Sequence, residues 1–324
     1  SSAGCPCALK TGGSMKKSIC IGIPRAMLYY RYGKMWETFF NALDCEVIVS
    51  PETDKKILEE GSLYSVDETC LSSKIFLGHV KWLIGKCDRI FIPRISNFGR
   101  DKVFCTKFCA LPDIAWATFR GEKIKILSCN IDLKEGFGEA SAFMEMGKEL
   151  KKLKPFTFRA YQLARRSEEI AEQQRKEKLD ALLNKDGLKI LLVGHGYIVN
   201  DRFSGKPVTD MLKELGATTV IADDVPKESA LKSSYELSST MPWICNRELA
   251  GAVWELKDQI DGIILMSAFP CGPDSMVNDI IVRRIKGIPT LTLTVDAQDA
   301  TAGLETRLES FIDILHFRKG EGLF

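Results

Sequence analysis

Two stretches of this chain, 172 residues apart, carry one hydrophobic pattern. Ser18-Ile19-Cys20-Ile21-Gly22 reads as a strand, and so does Ile190-Leu191-Leu192-Val193-Gly194. Trp36, Phe39, Phe40 and Leu43 make a helical face at i, i+3, i+4, i+7, and Val208, Met211, Leu212 and Leu215 repeat it. Glu46-Val47-Ile48-Val49 then matches Thr219-Val220-Ile221, with no gap needed and Gly22 set opposite Gly194. Further on, Asp88 to Ile92 corresponds to Asp261 to Leu265, and Lys123 to Asp132, taken as one strand, to Gly287 to Asp296. Alternating strands and helices of this length require parallel strands covered on both faces. The predicted fold is α/β: two similar doubly wound parallel-sheet domains, Rossmann-like, joined by a long helix.

That helix is expected over Phe158 to Leu183, a highly charged stretch with a thin apolar stripe of Tyr161, Leu163, Ile170 and Leu179. Asn184-Lys185-Asp186-Gly187 ends it with a glycine stop signal. The expected division is a leader or added remnant over 1–14, an N-terminal α/β domain over 15–155, the linking helix over 156–186 and a C-terminal α/β domain over 187–324. Lys10 to Gly13 followed by Met15-Lys16-Lys17 is what places the start of the first domain at Met15. A net charge of +2 provides no basic field for nucleic acid, and no apolar run reaches the length of a membrane span. No secretory pattern opens the chain, so a cytoplasmic protein is expected.

Eleven cysteines are many for such a chain. Setting aside Cys5 and Cys7 in the leader leaves an odd number, which argues against a disulfide framework. Cys20, Cys45 and Cys87 fall in or beside strands and at a helix end and read as structural; Cys129 is ambiguous. The others fall where open α/β sheets place ligands, past the strand ends. Phe269-Pro270-Cys271-Gly272-Pro273-Asp274 follows an apolar strand, and its glycine and prolines predict a tight turn that delays any helix. A lone cysteine there is ordinarily a small packed residue. Yet Cys105 and Cys109, at Cys-x3-Cys spacing, occupy the corresponding loop of the first half. Cys70 opens a predicted helix, where the dipole favours thiolate, and Cys245 sits at nearly the same place in the second half. Zinc suits a Cys-x3-Cys pair but lacks a second close pair; an iron–sulfur cluster tolerates scattered thiols.

The segments Gly22-Ile23-Pro24-Arg25-Ala26-Met27-Leu28-Tyr29-Tyr30, Val66-Asp67-Glu68-Thr69-Cys70, Phe104-Cys105-Thr106-Lys107-Phe108-Cys109-Ala110-Leu111-Pro112-Asp113 and Cys271-Gly272-Pro273-Asp274-Ser275 resemble the acyl-CoA dehydratase activase-related proteins of the 2-hydroxyacyl-CoA dehydratase and benzoyl-CoA reductase superfamily. The resemblance extends over nearly all of Met15 to Arg318. It implies an oxygen-sensitive [4Fe-4S] cluster between two α/β domains, reduced by an ATP-dependent activator protein and serving anaerobic electron transfer. By motif position the implied ligands are Cys70, Cys105 and Cys271, with Cys109 and Cys245 as alternates. Cys109 stands where that family carries an apolar residue, and Asp296 to Gly303 lacks the glutamates expected around its turn. A dimer is also expected.

In such a dehydratase one electron added to the thioester carbonyl of an acyl-CoA lets hydroxide leave and acidifies the β-hydrogen. Three thiolate ligands would leave one iron open for that chemistry. His195, in Gly194-His195-Gly196-Tyr197, can donate a proton or cap the open iron; by position alone it can equally face solvent at a strand end. Three functions are therefore carried forward: a cluster-bearing dehydratase or reductase component acting on a small substrate such as an acyl-CoA, a non-catalytic electron-relay or cluster-delivery protein, and a zinc- or thiol-stabilised binding module.

Overall fold

Short unbroken apolar runs make strands that need cover on both faces, and the charged, amphipathic segments between them provide it. The computed structural model describes residues 18–297 and 303–320. The first half runs β1 (Cys20–Ile23), α1 (Tyr29–Ala42), β2 (Glu46–Val49), α2 (Lys55–Leu63), α3 (Leu71–Leu83), β3 (Arg89–Phe91), β4 (Arg94–Asn97), α4 (Thr106–Thr118), β5 (Ile126–Leu127), β6 (Asn130–Asp132) and α5 (Glu139–Glu149). After α6 (Lys154–Leu183) come β7 (Lys189–Val193), α7 (Gly196–Val199), α8 (Lys206–Glu214), β8 (Thr218–Ile221), α9 (Lys227–Ser233), α10 (Ile244–Leu256), β9 (Gly262–Ala268), α11 (Gly272–Arg284), β10 (Thr290–Val295) and α12 (Leu304–Lys319). The two main sheets are parallel and have the same strand order, β2-β1-β3-β5 and β8-β7-β9-β10.

The repeat is real in topology, but its register is not gapless. In the first half the Cys20 N–H donates to Asp88 Oδ2 at 2.8 Å and Cys20 pairs with Glu46. In the second the Lys189 N–H donates to Asp261 Oδ2 at 2.7 Å and Lys189 pairs with Thr218. Cys20 is thus the counterpart of Lys189, 169 residues on, while the helix and second strand keep the offset of 172. Three extra residues lie between β7 and α8, where the short α7 forms. Gly22 and Gly194 are therefore not equivalent. A continuous apolar strand carries no internal phase, so the pattern slides along it unseen. Each glycine still has a local reason. A Cβ at Gly22 would stand 2.6 Å from Cys87 Sγ, and one at Gly194 would stand 2.9 Å from the Met266 carbonyl oxygen.

The stretch expected to form one strand from Lys123 to Asp132 is broken. β5 completes the first sheet beside β3, then β6 leaves it to pair with β4 as a separate two-stranded ladder. The core of this half is aromatic. Phe40 and Phe91 meet edge-on at 5.1 Å, Phe39 and Phe143 at 4.7 Å, and all four are fully buried. The linking helix also packs differently from its apolar stripe. Leu163 and Ile170 face outward, whereas Thr157, Ala160, Ala164, Glu168 and Leu179 are buried. Small residues let α6 lie close against α1 and α5, and that close approach displaces the larger side chains outward. Among the described residues no helix is long and apolar enough to cross a membrane.

Candidate functional site at four helix starts

Four helices of 13 residues each begin at the carboxyl edges of the two sheets: α3 and α4 in the first half, α10 and α11 in the second. Their N-cap residues are Cys70, Cys105, Trp243 and Cys271. The expected delay before the last helix is absent: Cys271 caps it and Gly272 begins it. Pro273 is accommodated because the first turn needs no N–H donor there.

The two halves meet at these helix starts through a reciprocal pair of backbone hydrogen bonds. The Leu71 N–H, first in α3, donates to the Phe269 carbonyl at 2.9 Å; the Ile244 N–H, first in α10, donates to the Val103 carbonyl at 2.8 Å. Each acceptor lies two residues before an N-cap cysteine, Cys271 in one case and Cys105 in the other. Such an exchange of equivalent contacts is the mark of an approximate two-fold relation. Three of the four related caps are cysteines. At the fourth the cap is Trp243, and the thiol is Cys245, two residues into the helix.

A cavity of about 40 Å³ lies where these starts converge. Cys70, Cys105, Cys245, Cys271, His195 and Asp274 are on its wall. Burial pushes the Cys105, Cys245 and Cys271 thiols up from their ordinary pKa, and neighbouring charge adds to this. Cys70 contributes to the rise at both Cys105 and Cys271, and the Asp274 carboxylate contributes further at Cys271. In the first turns of α4 and α11 the Lys107 N–H at Cys105 and the Asp274 N–H at Cys271 oppose the rise. Cys70 Sγ lies 3.3 Å from Ser73 Oγ.

His195 does not face solvent. It is buried, its Nε2 lies 2.8 Å from Asp274 Oδ1, and its ring stacks on Tyr197 with centroids 4.9 Å apart. Asn246 Nδ2 donates to the same Asp274 oxygen at 2.8 Å. Burial works against the imidazolium, but the Asp274 carboxylate outweighs it and raises the His195 pKa; burial likewise opposes the carboxylate, and His195 holds Asp274 below its ordinary range. The arrangement is a buried imidazole–carboxylate pair beside a group of thiols. Asp274 and Asn246 were not singled out as site residues from the sequence. Asp274 had a signal: it stands three residues after its N-cap, the position of the acid in a capping box.

Cys109 is not on the cavity wall; Ser96 Oγ donates to its sulfur at 3.2 Å and Arg94 Nη1 to its carbonyl at 2.8 Å. Cys20, Cys45 and Cys129 are buried in the core, and Cys87 packs on Gly22. The leader with Cys5 and Cys7 lies outside the described residues, as does 298–302 of the turn after β10. Among the described residues no three His, Cys, Asp or Glu side chains gather about a point that could hold a single metal ion. The thiols surround the cavity rather than converge on one centre.

Residues 20–225 match the family described as the CoA enzyme activase uncharacterised domain (DUF2229). No curated protein matches the chain. Among solved structures it is similar to the laminin-binding protein Lbp of Streptococcus pyogenes, at 11% identity over 93% of this chain and 100% of that one, with a TM-score of 0.28. It is also similar to a mutant laminin-binding adhesin, Lmb, from Streptococcus agalactiae, at 11% identity over 92% and 99% with a TM-score of 0.27. An FpvC mutant from Pseudomonas aeruginosa gives 16% identity over 92% and 100%, also with a TM-score of 0.27. At those TM-scores none of the three bears on fold or function.

Proposed function

Because the chain belongs to the family of the CoA enzyme activase uncharacterised domain, we propose that it is a thiol-ligated iron–sulfur component serving the chemistry of CoA thioesters, related to the 2-hydroxyacyl-CoA dehydratases. The observation that carries this is the placing of Cys70, Cys105 and Cys271 at three related helix caps around one cavity between the halves. Soft thiol donors suit iron–sulfur clusters, and these would be the holding residues. The free space between the side chains is about 40 Å³, so loading requires the thiols to swing aside about χ1. Turning them gives up contacts that each makes with the first turn of its own helix: Ser73 Oγ lies 3.3 Å from Cys70 Sγ, and the Lys107 and Asp274 N–H groups bond to the Cys105 and Cys271 sulfurs. A bound cluster would supply low-potential electrons, delivered by an ATP-dependent activator protein.

The chain's own residues define the rest. The converging helix starts stabilise negative charge in the cavity, and Tyr197 and Trp243 shield it from water. Asp274 holds the His195 imidazole with its Nε2 paired, leaving Nδ1 as the atom from which a proton can pass. Asn246 holds Asp274 in turn.

Cys245 supports a second function. It lines the same cavity, and as a fourth thiolate it would close the shell and favour electron relay over substrate chemistry. The test is anaerobic purification with iron and sulfide assay of wild type and of Cys70→Ser, Cys105→Ser, Cys271→Ser and Cys245→Ser. Loss of iron in the first three with retention in the last is expected. Loss in all four moves the protein to electron relay. A wild type without iron or sulfide after reconstitution overturns the proposal.

A further inference from the structure

A second cavity, of about 620 Å³, lies on the other side of the first turn of α10. That turn separates two chambers: Cys245 and Asn246 line the thiol cavity, Arg247 and Glu248 the larger one. The volume falls within the usual range for small-molecule sites, and the position, between α6 and the elements of both halves, is where such sites form. On the α6 wall Glu168, Glu169 and Glu172 stand with Arg165 alone among cations. Facing them, α9, α10 and the loop after β4 bring Arg247, Lys102, Arg100, Lys227 and Lys232 with Asp101 and Glu228. Tyr32 and Tyr235 line the space between, and the Arg31–Glu248 ion pair, at 2.8 Å, closes the floor.

Opposed walls of opposite sign would ordinarily pair with each other. Among the described residues their ion pairs stay on their own sides instead: Lys232 with Glu228, Lys227 with Asp223, Arg165 with Glu139. Each wall also holds a buried charged group with an unused polar atom. Arg247 is 3% exposed; its Nε donates to Ser234 and its guanidinium stacks on Tyr235, but Nη2 has no partner among the described residues. Glu168 is 2% exposed; its Oε1 accepts from Arg175 and Oε2 has none. Buried polar atoms are rarely left so, and these two, of opposite character, belong to side chains that line the cavity from its two walls.

We propose that this cavity binds a zwitterionic small molecule, its carboxylate toward Arg247 and Lys102, its ammonium toward Glu168 and Glu172, and an apolar middle along Tyr32 and Tyr235. The proposal is independent of any cluster in the thiol cavity. The probes are ω-aminocarboxylates of four to eight carbons, titrated calorimetrically into the full chain beside hexanoate and hexylamine. One chain length is expected to bind about tenfold or more tighter than either singly charged compound, the scale of a charge-assisted hydrogen bond. Arg247→Met should abolish its advantage over hexylamine. Lys102→Glu, at an exposed position that leaves folding undisturbed, should reduce the same advantage, and Glu172→Lys should reduce the advantage over hexanoate. Equal affinity for hexanoate and the best aminocarboxylate overturns the proposal. So does absence of binding across the series, or binding that neither exposed-site variant alters.

Discussion

At the scale of single residues, His79 shows what burial does to a titrating group. It lies in α3 with no exposure, its Nε2 is 3.1 Å from Thr53 Oγ1, and Nδ1 has no partner among the described residues. Burial, with Arg25 nearby, pushes its pKa down to about 3. The unfolded chain would take up a proton near pH 6.5 while the folded protein stays neutral, so this contribution to stability is whole above that value and is lost as pH falls toward 3. The loss approaches roughly 1.4 kcal/mol per pH unit in that window. His79→Gln retains a partner for Thr53 but cannot be protonated. Urea denaturation of both proteins from pH 7 to 4 should show wild type losing stability relative to the variant; a constant difference would falsify the assignment.

At the scale of elements, helix pairs in the two halves cross at glycine. A Cβ at Gly78 of α3 would stand 1.9 Å from the Ile57 carbonyl oxygen of α2, and one at Gly251 of α10 would stand 1.7 Å from that of Ala230 in α9. In a helix interior alanine outranks glycine by about 1 kcal/mol. Here the obstacle is backbone, which cannot rotate away, so overpacking of roughly 1–3 kcal/mol or more decides the sign. Gly251→Ala and Gly78→Ala should each lower the denaturation midpoint. Gly121→Ala, where a Cβ meets nothing within 4 Å, should leave it unchanged or raise it. The same distinction explains α6: Ala160 and Ala164 are buried because two helices approach closely there, while Ile170 is more than half exposed. An apolar stripe names the face a helix tends to bury, but the distance to the neighbouring helix decides which side chains fit.

For the whole molecule, one apolar core runs through both halves, and buried polar pairs tie them across it. Arg31 of α1 forks onto Glu248 of α10 at 2.8 and 3.2 Å, and Tyr30 donates to Asp201 at 2.9 Å. Burial works against the Arg31 charge, but Glu248 beside it keeps the guanidinium fully protonated. Removing one member strands the other: Arg31→Met leaves the Glu248 carboxylate buried, at a cost of roughly 3–5 kcal/mol. Adding Glu248→Leu should recover most of that loss. A single variant as stable as wild type in denaturant titration would show that the pair does not couple the halves.

Residue order alone determined the class of fold, the repeat of one pattern of strands and helices in the two halves and the helix start at Cys70, because each follows from local periodicity and from where strands end. It read Cys105 as a loop thiol and Cys271 as part of a turn that delays its helix, and both are N-caps. It could not set the register of β7, since an unbroken apolar strand has no phase to count from. Nor could it choose between Cys105 and Cys109. They are one turn apart on one face of α4, and only about 6 Å of helix rise carries Cys109 away from the cavity. The pairing of His195 with Asp274, 79 residues away in sequence, and the opposed charges of the larger cavity arose only when the halves packed. Periodicity records which face of an element is covered; what covers it is settled by the elements across the interface, and those are brought together by the fold.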